Sequence, residues 1–177
     1  MSTLNVLLAG FGGQGILFSG KLIVYSGLLD GKEVSWLPSY GPEMRGGTCN
    51  CSVVISDDAI GSPLVTAPDV LIAMNLPSLD KFEDTVVPGG TILLDSSLID
   101  RKVKRTDIKV CYVDASKLAE ENNMKGSANI ILVGKMFKEL GFCTEENLFK
   151  AVDKVVPPKK AALIEVNKNA LRLGFTV

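Results

Sequence analysis

The chain has 177 residues, of which 46% are apolar, and a formal net charge of -1. This length suits one compact domain with a core of its own, so we expect a single domain over residues 1–177. The near-neutral charge offers no basic field for nucleic acid, no apolar run could span a bilayer, and the N-terminus lacks the basic start of a secretory signal. We therefore expect a cytoplasmic protein that binds neither nucleic acid nor membranes.

Histidine is absent from the sequence, which excludes Ser-His and Cys-His nucleophilic machinery and histidine metal sites within this chain. The cysteines also lack the Cys-x-x-Cys spacing of zinc or iron–sulfur ligation. Cys49 and Cys51 lie two apart on a predicted strand and so share one face of it. We expect them to be small buried residues of a reducing compartment rather than redox groups. The full set is Cys49, Cys51, Cys111 and Cys143.

The first predicted elements are an apolar strand over residues 4–9, a glycine loop over residues 10–15 and a helix over residues 16–29. The glycines at positions 10, 12 and 15 fit the G-x-G-x-x-G spacing of a strand-to-helix turn, and Gly13 removes one more side chain. Such glycines allow a tight bend, close approach of a ligand and close packing of helix on strand. Because N–H groups at a helix N-terminus attract anions, the loop predicts phosphate or pyrophosphate binding. A tight turn without a ligand is the alternative.

The predicted helix over residues 16–29 is apolar around much of its circumference, so either a second subunit covers it or it is a central helix. A second strand over residues 33–37 completes a βαβ unit, which predicts a parallel pair. A nicotinamide-binding fold usually places Asp or Glu near the end of that strand. Pro38, Ser39 and Tyr40 stand there instead. This disfavours an NAD site but not phosphate binding.

Residues 39–47 form a second special loop, with the sequence Ser-Tyr-Gly-Pro-Glu-Met-Arg-Gly-Gly. It leaves the carboxyl end of a parallel strand, the edge at which open α/β sheets bind ligands, and the glycine loop lies at the same edge. We predict that it offers Tyr40, Glu43 and Arg45 to a ligand or a partner subunit, because a purely solvated connection rarely needs such backbone chemistry. A solvated surface loop is the alternative.

The rest of the chain alternates strands and helices. The strand over residues 48–55 follows the second strand without a helix between, so we expect it to be antiparallel. Further strands are predicted over 70–74, 91–94 and 108–113, and helices over 75–84, 115–121 and 127–140. Two more helices follow Thr144, which we expect to cap the first of them. Gly174 is predicted to stop the last helix. This order predicts an α/β, Rossmann-like three-layer sandwich with a mostly parallel sheet.

Several polar positions fall at the ends of these elements. We expect Asp95 and the two serines after it to cap backbone amides rather than touch a ligand, and Asp114 to cap the helix over 115–121. The basic residues of 101–107 indicate a solvated connection rather than an anion site. Asn129, in the first turn of its helix, can reach the ligand edge or make a local backbone hydrogen bond, and both interpretations are open.

The glycine loop and residues 39–47 together resemble the gamma subunits of 2-oxoacid:ferredoxin oxidoreductases, above all the 2-oxoglutarate and branched-chain 2-oxoacid types. The resemblance covers nearly the whole chain in length and element order. It implies an enzyme complex in which a 2-oxoacid, expected to be 2-oxoglutarate, adds to thiamine diphosphate and loses carbon dioxide. Electrons then pass through iron–sulfur clusters to ferredoxin, and the acyl group is transferred to coenzyme A.

The resemblance also implies a division of labour between subunits. The chain lacks a Gly-Asp-Gly motif for the magnesium of thiamine diphosphate and lacks cysteine clusters. Thiamine diphosphate, magnesium and the iron–sulfur clusters are therefore expected on partner alpha, beta and ferredoxin-like delta subunits, through which ferredoxin is reached. Alone, the chain would hold no cofactor and be inactive, and no catalytic residue is assigned to it.

The gamma chain would close one wall of the active site or of the coenzyme A pocket. The resemblance implies that the loop glycines meet the phosphates of coenzyme A, that Gln14 supplies a side-chain amide, and that Arg45 pairs with a phosphate, a carboxylate or an acidic partner. Glu43 would contact the ligand or a partner chain. The loop glycines are Gly10, Gly12, Gly13 and Gly15. An NAD(P)-dependent oxidoreductase and a non-catalytic docking scaffold are the alternatives, and a two-fold homodimer would be unsurprising.

Overall fold

A six-stranded mixed sheet forms the centre of the molecule in a computed structural model, which describes residues 3–40 and 47–177, with Tyr40 described by its backbone alone. The strands are β1 (Thr3–Phe11), β2 (Glu33–Tyr40), β3 (Thr48–Ser56), β4 (Val70–Ala73), β5 (Thr91–Asp95) and β6 (Lys109–Val113). The helices are α1 (Ile16–Leu29), α2 (Leu76–Phe82), α3 (Ala115–Glu121), α4 (Ala128–Leu140), α5 (Glu145–Val155) and α6 (Leu163–Thr176), with short 3-10 turns at Glu83–Thr85 and Pro158–Lys160. No helix in the described part of the chain is long and apolar enough to cross a bilayer.

The strand order is β2-β3-β1-β4-β5-β6. β1, β4, β5 and β6 are parallel, whereas β3 is antiparallel to both of its neighbours. This confirms the antiparallel strand and the mostly parallel α/β sheet. One expectation was wrong in detail: β1 and β2 run in the same direction but do not pair, because β3 returns from β2 and takes the free edge of β1.

The sheet separates two apolar cores because side chains alternate between its faces. On β1, Leu4, Val6 and Leu8 face α1 and α3–α6, whereas Leu7 and Ala9 face α2 and the loops beside it. Since β1 and β4 are covered on both faces, they are nearly continuous apolar runs. The glycine loop thus continues from a strand that is held rigidly on both sides.

α1 packs against the sheet and α5 but is not covered all round. Leu22 and Ile23 are fully buried, whereas Tyr25 and Leu28 are 40% and 52% exposed. The described residues therefore leave an apolar strip on α1 open, as the alternative of a covering subunit requires.

α4 is buried around its first turns because it lies between the sheet and α6. Gly174 does not stop α6, which continues to Thr176, and the reason for this glycine is a close helix crossing. A Cβ atom at Gly174 would lie 2.2 Å from the carbonyl oxygen of Ile131, and one at Gly134 would lie 2.4 Å from that of Leu171. The two glycines let the backbones of α4 and α6 come into direct contact and so fix the position of α4 over the sheet.

The C-terminal part of α4 is held by charge. Lys109 of β6 and Lys135 of α4 both donate to the Glu139 carboxylate, and they lower its pKa to about 2. The side chain of Glu139 is only 17% exposed, so this pair of contacts is poorly screened by water. α4 is therefore tied to β6 at one end of the sheet.

Capping was predicted correctly at two of three positions. Thr144 caps α5 by accepting from the N–H of Asn147. Asp95 accepts from the N–H groups of Ser97 and Ser116 and so caps α3 from the end of β5. Asp114 stands at the N-cap of α3 without capping it, because its carboxylate accepts from the Ser96 hydroxyl instead.

We predict that Gly174→Ala lowers the free energy of unfolding by about 2–3 kcal/mol, because the new methyl group overlaps the backbone of α4. Urea unfolding of the purified chain measures this. Gly61→Ala is the control, since nothing lies within 4 Å of its Cβ position. An unchanged midpoint for Gly174→Ala would show that the two helices do not cross as described.

We also predict that the stabilising effect of Glu139 depends on pH. Its folded pKa lies below its unfolded value near 4.5, so its contribution is complete above that value and is lost as the pH falls toward 2. Glu139→Gln should cost about 2 kcal/mol at neutral pH and much less near pH 3. The exposed Glu120→Gln is the control, because Glu120 forms no ion pair with a described residue. A cost for Glu139→Gln that stays constant across this range would refute the ion-pair account.

Candidate functional site

The glycine loop leaves the carboxyl end of β1 and enters α1 through left-handed backbone. Gly13 has a φ of 99° and Gly15, the N-cap of α1, a φ of 77°. These values favour glycine over any other residue. Gly10 is required for a different reason, since a Cβ there would lie 2.7 Å from Gln14 Oε1 and 3.0 Å from Met74 Cβ.

Gln14 fastens the loop to the end of β4. Its Oε1 accepts from the N–H of Phe11 at 2.7 Å and from Nδ2 of Asn75 at 3.3 Å, and its Nε2 donates to the carbonyl oxygen of Met74 at 3.0 Å. The side chain thus folds back into the chain and shapes the loop. A direct contact of Gln14 with a ligand stays a prediction.

Asn129 fastens the other end of the loop. From the first turn of α4, its Nδ2 donates to the carbonyl oxygen of Gly15 at 3.1 Å and to Oγ of Ser19 at 2.9 Å. A Cβ at Gly15 would lie 2.3 Å from that nitrogen, so the contact requires glycine. Asn129 therefore reaches the predicted ligand edge, and the interpretation as a local backbone bond is wrong.

The loop leaves several N–H groups unused at the start of α1. The intrahelical ladder begins with the bond from Ser19 N–H to the Gly15 carbonyl, so the first-turn N–H groups of Ile16, Leu17 and Phe18 have no helical partner. Gly13 is exposed and adds a further N–H. The first turn of α1 carries no acidic residue that could compete for these donors. We call the N–H groups of Gly13, Ile16, Leu17 and Phe18 the anion seat, because unpaired donors at a helix N-terminus favour an anionic ligand.

The N–H group of Gly12 is used within the chain, and the predicted contact of Gly12 with a ligand stays a prediction. Its N–H donates to the carbonyl oxygen of Gly47 at 2.9 Å, which ties the glycine loop to the chain just before β3. Tyr40 pairs with Cys49 in the sheet. Residues 40 and 47 therefore both lie at the edge of the sheet that carries the glycine loop. Glu43 and Arg45 lie outside the described residues, as does the side chain of Tyr40, so their predicted contacts stay predictions.

Three clefts meet at this loop. The first, which we call the lysine cleft because Lys21, Lys125 and Lys160 line it, has a volume of about 450 Å³. It lies between the start of α1, the start of α4 and the α5–α6 connection, and Gly15 forms part of its wall. The edge cleft, of about 460 Å³, lies above the ends of β4 and β5 and includes Gly13 and Gln14. A smaller cleft of about 260 Å³ lies between the loop and the start of β3. A ligand at the glycine loop can therefore extend in more than one direction.

The cysteines are buried or half-buried, and Cys49 alone among them lines one of the three clefts, the smaller one at the start of β3. Cys49 and Cys51 are buried, as expected; Cys111 is also buried, and Cys143 is half-buried. Burial raises the pKa of the Cys51 and Cys143 thiols to about 12, so both stay protonated at neutral pH. The described residues contain no cluster of three or more His, Cys, Asp or Glu side chains that could hold a metal ion.

The strand order bears on the NAD(P) alternative. In a nicotinamide-binding fold the second strand lies beside the first, so that its terminal acidic residue reaches the ribose. Here β3 separates β2 from β1. The end of β2 is therefore one strand too far from the glycine loop for that role.

Comparison with known proteins places the chain in one family. Residues 5–177 match the family described as pyruvate ferredoxin/flavodoxin oxidoreductase. The ketoisovalerate oxidoreductase subunit VorA of Methanothermobacter thermautotrophicus is 39% identical over 171 residues, which cover 96% of this chain and 35% of VorA. The 2-oxoglutarate synthase subunit KorC of Methanocaldococcus jannaschii is 35% identical over 156 residues, which cover 86% of this chain and 83% of KorC. The chain thus spans about a third of the length of the VorA relatives that it matches.

Solved structures agree with this placement. The gamma subunit of a keto/oxoacid ferredoxin oxidoreductase from Geobacter sulfurreducens superposes with a TM-score of 0.83 at 30% identity, over 98% of this chain and 96% of that chain. A 2-oxoglutarate:ferredoxin oxidoreductase from Magnetococcus marinus, solved with 2-oxoglutarate, coenzyme A and succinyl-CoA bound, gives a TM-score of 0.88 over 99% of this chain and 31% of that chain, and its 22% identity supports the fold alone. The chain therefore belongs to the pyruvate ferredoxin/flavodoxin oxidoreductase family, in which it corresponds to the gamma subunits of 2-oxoacid:ferredoxin oxidoreductases.

Proposed function

We propose that this chain acts in a thiamine-diphosphate-dependent 2-oxoacid:ferredoxin oxidoreductase and that its glycine loop binds the diphosphate of coenzyme A. The observation that carries the proposal is the anion seat. The N–H groups of Gly13 and of the first turn of α1 have no helical partner, and no acidic side chain stands in that turn. The helix dipole adds a positive field at the same point.

Coenzyme A fits this seat better than a simple anion does. A diphosphate offers several acceptor oxygens to N–H donors that point in one direction. The clefts beside the loop leave room for the rest of the molecule on either side. The role is positional: the loop holds the coenzyme while its thiol extends toward reacting groups on another subunit.

The remaining chemistry belongs to partner subunits in this proposal. The described residues hold no metal-binding cluster, and the buried thiols are protonated, so nothing in this part of the chain suits magnesium or an iron–sulfur cluster. When bound on its own subunit, thiamine diphosphate supplies the electron sink for decarboxylation of the 2-oxoacid. Alpha, beta and ferredoxin-like delta chains would complete the complex in the cytoplasm. The exposed apolar strip on α1, with Tyr25 and Leu28, suits a subunit contact.

The proposed substrate is 2-oxoglutarate, after the name of the KorC relatives. VorA relatives named for ketoisovalerate show similar identity. Turnover of the assembled complex with each of the two oxoacids therefore decides between them, and kcat/KM should favour 2-oxoglutarate.

We predict that Gly13→Asp raises the KM for coenzyme A about tenfold more than Gly13→Asn in the assembled complex. Both residues tolerate positive φ and have nearly the same shape, so the pair isolates the effect of one negative charge beside the bound diphosphate. The Cβ position at Gly13 is open, with nothing within 4 Å. Steady-state kinetics with coenzyme A varied measures the difference, and the KM for the 2-oxoacid serves as the internal control.

Equal KM values for the Asp and Asn variants would contradict the proposal, because no anion would then lie at the loop. Such a result, with assembly intact, would favour the docking-scaffold alternative.

A further inference from the structure

The lysine cleft has an unusual charge for a chain with a net charge of -1. Lys21, Lys125 and Lys160 line it, and no Asp or Glu side chain does. None of the three forms an ion pair with a described residue, whereas Lys109, Lys135 and Lys168 elsewhere on the chain do. The Lys21 ammonium group lies over the Trp36 ring, 4.9 Å from its centre, so its contact there is with an aromatic face and not with a carboxylate. Three ammonium groups without carboxylate partners around one concavity create a positive potential that favours an anionic ligand.

A second feature of the cleft points to a ligand with hydrogen-bond donors. Asn129 is 4% exposed and lines both this cleft and the edge cleft, and its Oδ1 has no hydrogen-bond partner among the described residues. The orientation of this amide is set by the Gly15 carbonyl, which can only accept, so the nitrogen must face Gly15 and the oxygen must face away. A buried acceptor left without a donor costs about 1–3 kcal/mol. A ligand N–H or O–H group would remove that cost.

The only other buried side-chain nitrogen or oxygen without such a partner in the described chain is Nε1 of Trp36. Trp36 also lines the lysine cleft, so both of these atoms belong to residues of its wall. With Leu17 and Phe18, the Trp36 side chain gives the cleft an apolar wall suited to a flat ring.

The cleft is continuous with the anion seat. Gly15 belongs to both, and α1 carries its free N–H groups at one end of the cleft and Lys21 one turn further along. A ligand whose diphosphate lies at the glycine loop would thus place its neighbouring group among the lysines. In coenzyme A that neighbouring group is adenosine with a 3′-phosphate. This group combines a second anionic centre, a flat base and several O–H and N–H donors.

We propose that the lysine cleft binds the 3′-phosphoadenosine end of coenzyme A, with Lys21, Lys125 and Lys160 around its phosphate and Asn129 Oδ1 accepting from the nucleoside. This inference rests on the proposed function. The edge cleft suits the group less well, because Glu120 stands there beside Lys117 and Lys125. The lysine cleft thereby selects the phosphorylated coenzyme over analogues that lack the 3′-phosphate.

The test compares coenzyme A with 3′-dephospho-coenzyme A in the assembled complex. The wild type should show a KM about tenfold lower for coenzyme A, as expected for a charge-assisted contact. A variant with Lys21→Met, Lys125→Met and Lys160→Met should bring the ratio of the two KM values close to one, mainly by raising the KM for coenzyme A. Lys154→Met, an exposed α5 lysine outside the cleft, is the matched control and should keep the wild-type ratio.

Two results overturn the inference: a wild type that does not discriminate between the coenzymes, or a triple variant that keeps the wild-type ratio. If the triple variant does not assemble, Lys160→Met alone, which removes a lysine of this cleft that the edge cleft does not share, should bring the two KM values closer together, and an unchanged ratio is again decisive. The Gly13→Asp and Gly13→Asn pair distinguishes a failure of the lysine-cleft inference from a failure of the proposed function. If that pair differs with both coenzymes while the lysine variants keep the ratio, the proposed function stands and only the lysine cleft is wrong. If the pair does not differ, the proposed function itself fails.

Discussion

Two side-chain amides hold the glycine loop, and the site depends on them. Gln14 ties the loop to the end of β4 through the Phe11 N–H and the Met74 carbonyl, while Asn129 ties its far end to α4 through the Gly15 carbonyl. A loop with so many glycines would otherwise sample many conformations. Holding it in one conformation before a ligand arrives reduces the entropy lost on binding. The free N–H groups of α1 are consequently presented in a fixed direction.

The position of Asn129 depends in turn on helix packing far from the loop. The α4–α6 crossing at Gly134 and Gly174 fixes the position of α4 over the sheet, and Glu139 anchors the C-terminal end of α4 to β6. This position of α4 brings the Asn129 amide within hydrogen-bond distance of the Gly15 carbonyl. The lysine cleft follows from the same placement, because the start of α4 forms one of its walls. The core packing and the candidate site are therefore parts of one arrangement.

The features that could be predicted from the sequence are those that local signals determine. The apolar runs, the glycine spacing and the Thr144 cap act within a few residues, and each of them was located correctly. The short connection before residue 48 was enough to predict an antiparallel β3. What could not be predicted depends on partners distant in sequence: β3 lies between β1 and β2, Gly174 serves a helix crossing, and Asn129 bonds to a residue 114 positions away. Gln14 has the right chemistry for a ligand contact, and only the fold shows that its amide is used within the chain. Glu43 and Arg45 stay predictions.

Backbone amide exchange in the assembled complex, measured with and without coenzyme A, tests the anion seat most directly. The account predicts that the amides of Gly13, Ile16 and Leu17 exchange more slowly when the coenzyme is bound, because its phosphate oxygens accept their hydrogens. The Gly12 amide, already bonded to Gly47, should change least. Unaltered exchange at Gly13, Ile16 and Leu17 under saturating coenzyme A would contradict the account.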